Sequence, residues 1–221
     1  GDHRDLHGTS HSFPTRRSSD LAQIVREQPL ASLITTDDAG LPQVSHLPMR
    51  LSVDGQGGWT LLAHMARANP QWQQLQARPQ ALVSFLGPNA YMSPDVYQDK
   101  ARVPTWSYVA VHCRVRARPI DAQDLAAKDA LLKTLIGDHD PAYAAQWRSL
   151  DAAFQQRMLA AIVAFELKVE SWQCAVKLNQ HRPEAHAAMH ARYAAGTEGE
   201  RALARWMERL ALVPVSIKQG D

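Results

Sequence analysis

Apolar positions follow a period of two over most of the first 120 residues, and a helical period dominates later. LASLITT, Leu30 to Thr36, alternates like a half-buried strand and ends in the turn DDAG. PQVSHLPMRLSV, Pro42 to Val53, predicts a second strand, DGQGG a hairpin loop, and WTLLAHM, Trp59 to Met65, the returning strand. Asn69 and Pro70 make a favourable helix start, predicting a helix to Ala77 that stops before Pro79. QALVSFLG, Gln80 to Gly87, reads as a strand. PNAYMSPDVYQDKARVPTW reads as a loop with a short helical turn from Ser93 and Pro94. SYVAVHCRVRARPI, Ser107 to Ile120, is a long strand, followed by a helix capped by Asp121 through Ile136, with Asp124 at capping-box spacing. DPAYAAQWRSL and DAAFQQRMLAA look helical, IVAFELKVESWQCAVKLNQ returns to strand, and two helices split by Gly196 and Thr197 follow Arg182. Antiparallel strands with helices inserted late predict an α+β fold with a barrel-like or half-open sheet.

Composition narrows the class. The 221 residues suit one large domain, or one with an appendage, and a 45% hydrophobic content supports a core without staples. A net charge of +2 does not single out a nucleic-acid binder. Cys113 and Cys174 lie far apart with no CxxC, which points to a reducing cytoplasm. No apolar run is long enough for a membrane span.

The N-terminus is expected to be foreign to the protein. The chain starts with Gly, and His11 to Leu21 read HSFPTRRSSDL. Codon by codon, these eleven residues match the translation of a widely used sequencing-library adapter. Residues 1–21 are therefore expected to be a non-native disordered tail, with the natural start missing. The plainer alternative is a polar native tail.

Four stretches break the apolar pattern with chemistry. His46 and His64 interrupt neighbouring strands; metal ligation, a structural hydrogen bond and ligand contact all stay open, and no HExxH or carboxylate partner is near. Arg67 and Asn69 precede a helix start, which favours an anion, though ANPQW also works as a plain cap with Trp72 in the core. Pro104, Thr105 and Trp106 place a hydroxyl and a ring at a strand mouth, suited to a planar ligand or to ordinary packing. Lys177 and Gln180 can reach a phosphate or a flavin carbonyl, or end a solvated strand. HAAMH, His186 to His190, reads as a surface helix.

Taken together, HLPMRL, HMARANPQW, FLGPNAYMSPDVY, VPTWSYVAVHCRVRA and KLNQHR resemble the PaiB-type FMN-binding negative transcriptional regulators. These are similar to the pyridoxamine-phosphate-oxidase-like split barrels. The resemblance covers Ala22 to Tyr193, in order and spacing. Members commonly read KLSQN where this chain has KLNQH, so Asn179 and His181 depart from the pattern. The resemblance implies a split β-barrel homodimer with FMN at the subunit interface. It places His46, Leu47 and Pro48 on a neighbouring strand, with His64, Met65 and Ala66 lining the flavin corner. Arg67 and Asn69 would face the phosphate, Trp72 would anchor the helix, and Pro104 to Trp106 would form a wall. Residues 22–181 would be the FMN-binding domain and 182–221 a C-terminal helical extension. The implied function is negative transcriptional regulation, with DNA reached directly or through a partner. An FMN-dependent oxidoreductase on the same fold is the alternative, and a cofactor-free interaction protein the third. No catalytic residue is assigned; His46, His64 and His112 are the acid–base candidates.

Overall fold

The computed structural model describes residues 18–99 and 101–214, which fall into two compact units. The barrel unit holds residues 18–85 and 111–173, and the second unit holds 86–110 and 174–214. In chain order the elements are α1 (Ser18–Glu27), β1 (Leu30–Thr36), β2 (Pro42–Val53), β3 (Trp59–Ala66), α2 (Gln71–Ala77) and β4 (Gln80–Met92). They continue with β5 (Thr105–Pro119), α3 (Leu125–Gly137), α4 (Tyr143–Ser149), α5 (Ala152–Ala160), β6 (Ile162–Lys177), α6 (Pro183–Ala194) and α7 (Glu198–Arg209). The six strands close a barrel in the order β1-β2-β3-β6-β5-β4, and the ladders of β2 with β1 and β3, and of β3 with β6, are antiparallel. The α+β barrel expectation holds.

Alternation explains the barrel. Along β3, Trp59, Leu61, Ala63 and Met65 are buried and the residues between them are not. Leu61 stands between Leu51 of β2 and Leu167 of β6, and all three are buried, so one row of leucines crosses three strands. Burying each such side chain contributes about 1.5–3 kcal/mol. The β2–β3 turn is built by Asp54, whose Oδ1 accepts from the N–H groups of Gln56 and Gly58, while Gly57 takes φ +83°. Outside the barrel, Leu131 and Leu135 of α3 pack on Ala164 of β6, with Leu62 of β3 alongside.

The structure revises several expectations. The adapter-like stretch does not stay unstructured throughout: Ser18 to Leu21 belong to α1, and Leu21 is buried on the same helix as Ile24 and Val25. The three are spaced i, i+3 and i+4, so Leu21 extends an apolar face that continues beyond the adapter match. The remainder of the expected tail, residues 1–17, lies outside the described residues. β4 runs on to Met92 instead of ending at Gly87, and a Cβ on Gly87 would come within 2.8 Å of the Val109 carbonyl oxygen of β5. The strand can continue there because glycine admits that close approach. The cap of α3 is Asp124, whose Oδ1 accepts from Ala127 N–H at 2.8 Å, while Asp121 serves a turn by accepting from Gln123 N–H. Helices α6 and α7 pack together and fall in the same compact unit as residues 86–110. Thr197 and Glu200 form a full capping box on α7, as the Gly196–Thr197 break predicts.

Candidate functional site at the split between β2 and β3

Two strands that begin as a hairpin separate partway along. The β2–β3 ladder runs from Val53 opposite Trp59 to Met49 opposite Ala63 and stops there. Each strand keeps its other partner: β2 stays paired to β1 through Leu30–Pro48 and beyond, and β3 to β6 as far as Ala66–Ile162. Residues 46–48 and 64–66 thus flank a gap in the sheet.

Side-chain direction sorts the six expected residues there. Leu47 and Met65 are buried, and their side chains alternate with those of the neighbouring residues, which face the other side of the sheet. His46, Pro48 and Ala66 are exposed and His64 is half-buried. The Nδ1 atom of His46 lies 3.1 Å from Ser32 Oγ, a contact that orients the ring. The Nδ1 atom of His64 is buried and has no hydrogen-bond partner among the described residues. Burial pushes the His64 pKa down, favouring the neutral ring with one donor and one acceptor nitrogen.

The corner after β3 is tied by backbone and guanidinium together. Arg67 N–H donates to Ala161 O at 2.8 Å, Nε to Ala160 O at 2.9 Å, and Nη2 to Ile162 O at 3.3 Å. The guanidinium carbon lies 5.7 Å from the Trp72 ring centroid, and Trp72 Nε1 donates back to Arg67 O at 3.0 Å. The Nη1 group of Arg67 has no acceptor among the described residues. Asn69 spends its amide on the corner itself: Nδ2 donates to Ser45 Oγ at 2.8 Å, and Oδ1 accepts from Gln71 N–H at 3.0 Å. Pro70, and not the expected Asn69, occupies the cap position of α2; Asn69 sits one residue earlier and meets the N–H of the first helical residue, so its amide is committed to these two bonds. Helix α2 has seven residues, so attraction for an anion rests on Arg67 and not on a helix terminus.

Two residues that the sequence reading passed over complete the framework. Gln71 is buried, and its Nε2 lies within hydrogen-bond distance of Leu33 O, Thr35 Oγ1 and Gln43 O, which fastens α2 to β1 and β2. Lys128 of α3 is fully buried, with Nζ donating to Ala122 O at 2.9 Å and to Leu159 O at 3.5 Å. The carbonyls of residues 159 to 162 are therefore all taken by Lys128 and Arg67. Neither cation joins a salt bridge among the described residues. Burial, then the neighbouring Arg67 charge, pull the Lys128 pKa down, and Asp121 opposes them. A signal for Lys128 existed: it shares a 3–4 spacing with buried Leu131 and Leu135, which puts a charge on the apolar face of a helix.

The remaining expected residues lie in the second unit. Trp106 is 51% exposed, with Nε1 donating to Asn89 Oδ1 at 3.1 Å and its ring edge-on to Tyr91 at 6.4 Å. Pro104 beside it is exposed and Thr105 half-buried. Lys177 is exposed. Gln180 is turned onto its own loop, accepting from Leu178 N–H and donating to Val176 O. Asn179 takes φ +59°, a conformation asparagine tolerates well, and its Nδ2 donates to Tyr97 OH at 2.6 Å. In the HAAMH pair, the His186 ring nitrogens face Asn179 O and Leu212 O, while His190 meets Glu208. No three-residue His/Cys/Asp/Glu cluster suited to a metal occurs among the described residues.

Residues 9–171 match the protein family described as "Putative FMN-binding domain". The Bacillus subtilis (strain 168) protein named Protease synthase and sporulation protein PAI 2 is 32% identical over 174 residues, spanning 78% of this chain and 81% of that protein. Among solved structures, the flavocytochrome Anf3 from Azotobacter vinelandii superposes with a TM-score of 0.60 at 16% identity, covering 77% of this chain and 75% of the other. A FAD and heme binding protein from Mycobacterium smegmatis gives 0.58 at 18% identity, covering 75% and 73%. These two likenesses establish the split-barrel fold. With its family match and its relative, the chain belongs to the PaiB-type FMN-binding family.

Proposed function

We propose that this chain holds FMN in a homodimer and acts as a negative transcriptional regulator. The observation that carries the flavin site is the gap where the β2–β3 ladder stops, flanked by the unpartnered Nδ1 of His64 and the open Nη1 of Arg67. A buried ring nitrogen without a partner is costly to leave unmet, and a polar ligand edge relieves it. An arginine with an open amino group, beside a buried lysine and without a carboxylate, suits a phosphate. The residues present thus fit FMN. The phosphate would rest on Arg67, and the ring along His46, Pro48, His64 and Ala66, with Leu47 and Met65 contributing backbone only. When bound, FMN supplies a ring that accepts and releases electrons. In the second unit, Pro104, Thr105 and Trp106 offer another flat surface for a planar group, and Lys177 an exposed charge.

An uncovered apolar row supports a second copy. Val44 and Leu82 flank Ile34 in register across β2, β1 and β4, and are 54% and 36% exposed. Such a row is suited to an interface with two-fold symmetry. The near-balanced charge favours DNA contact that is weak in the isolated protein or made through a partner. No described helix is long and apolar enough to cross a membrane. The second reading, an FMN-dependent oxidoreductase, draws on His64, a neutral imidazole at the gap able to hold or pass a proton. The visible spectrum of the purified protein, with FMN titration by fluorescence quenching, tests the flavin claim; a colourless protein that quenches nothing removes it. Light scattering tests the dimer. Rapid bleaching by NAD(P)H under air, with turnover, favours the oxidoreductase over the regulator.

A further inference from the structure

We infer that Lys128 is a positioning residue for Arg67, holding the end of α5 so that Arg67 turns its open Nη1 group outward to an FMN phosphate. The inference rests on the phosphate reading above. Four successive carbonyls, from residues 159 to 162, are shared between two cations. Lys128 takes the first and Arg67 the other three, through its Nε, backbone N–H and Nη2. Helix-end carbonyls need partners, and this end lies against a fully buried side chain. Without Lys128, the Leu159 carbonyl loses its ammonium donor, and the Arg67 guanidinium, bonded to the adjacent Ala160 carbonyl, can be drawn to it. Recruiting it would swing Nη1 away from the outer face. Lys128 is fully buried and spends Nζ on Ala122 O and Leu159 O, and so acts on the phosphate only through Arg67.

The test compares FMN with riboflavin, which lacks the phosphate, by fluorescence titration of the full chain and three variants. The wild type should bind FMN more tightly by at least about tenfold, the scale of one charge-assisted hydrogen bond. Arg67→Ala should abolish that preference. Lys128→Met should lower it by about tenfold while riboflavin affinity stays within about twofold, because only the phosphate contact is displaced. Lys128→Gln keeps a donor for the carbonyls and loses the charge, and should retain most of the preference. A Met variant with the wild-type preference overturns the inference and leaves the phosphate reading intact. A Gln variant as weak as Met also overturns it, since the lysine would then act by charge and not by position. If Arg67→Ala keeps the preference, the phosphate reading fails and the inference falls with it. Should Lys128→Met fail to bind riboflavin, the Gln variant decides alone.

Discussion

The two ends of the β2–β3 hairpin are made from the same two strands and are held in different ways. At the turn end, backbone bonds pair Met49 through Val53 with Ala63 through Trp59. The leucine row at 51, 61 and 167 lies beneath, and Trp59 stacks on Trp172 with centroids 6.1 Å apart. At the other end the ladder is gone, and side chains do the joining: Asn69 to Ser45, Gln71 to Gln43, and Arg67 to the start of β6. Backbone pairing accepts almost any alternating sequence, whereas side-chain joining needs particular residues at particular positions. Chemistry has room at the split end because no ladder fills it, and the residues there are specific for the same reason.

The largest contrast should come from breaking the turn end. Leu61→Ala removes a fully buried side chain from the three-strand row and should cost roughly 3–5 kcal/mol in denaturant unfolding. In the protein that stays folded, the preference for FMN over riboflavin should be unchanged. A cost below about 1 kcal/mol would mean that the row is not the keystone of this end.

Asn69→Ala is the matching cut at the split end. It removes the acceptor for Gln71 N–H and the donor to Ser45, and should cost about 1–2 kcal/mol of stability. Flavin affinity should suffer more than stability does, because the corner loosens where the proposed FMN site lies. If Asn69→Ala lowers stability and leaves FMN affinity untouched, the corner is a cap and nothing more.

The same distinction explains what could be read from the chain. Strands β1 and β2 were legible to the residue, since alternation and the turns DDAG and DGQGG are local signals. The helix after β5 was misplaced because Asp121 and Asp124 both make side-chain bonds to nearby N–H groups, and only the fold decides which one starts a helix. HMARANPQW marked a candidate site, yet the geometry of that corner was not legible. Periodicity places Leu47 and Met65 inward once the strands are known, but it cannot say where a ladder stops. Gln71 was hidden because its acceptors lie far along the chain, at Leu33 and Gln43; Lys128 was visible as a charge on an apolar helix face, but its bond to Leu159 was not.

His64 gives the split end a pH signature that the turn end lacks. Its folded pKa is lowered by burial from 6.5, so the folded protein resists protonation while the unfolded chain accepts it. The stability this provides is fully present above 6.5 and is lost as the pH falls through the folded value. A His64→Gln variant carries no such titration. The difference in melting temperature between wild type and variant should therefore shift against the wild type as the pH drops below 6.5. A difference that is flat across that range would place His64 in open water, contrary to its orphaned nitrogen.

The smallest effect should be found at the turn end's surface. Arg118 donates to Glu166 Oε2, with the two side chains 76% and 34% exposed. Water already screens such a pair, and ordering two long side chains offsets much of the Coulomb gain. A double-mutant cycle with Arg118→Gln and Glu166→Gln should give a coupling of at most about 1 kcal/mol, shrinking further in raised salt. The leucine row and the ladder beneath do not need the pair, so each single variant should also melt within a few degrees of wild type. A coupling well above that bound would show that specific side chains hold the turn end as well. The contrast between a backbone-closed end and a side-chain-closed end would then have to be given up, and the functional signal at the split would need another cause.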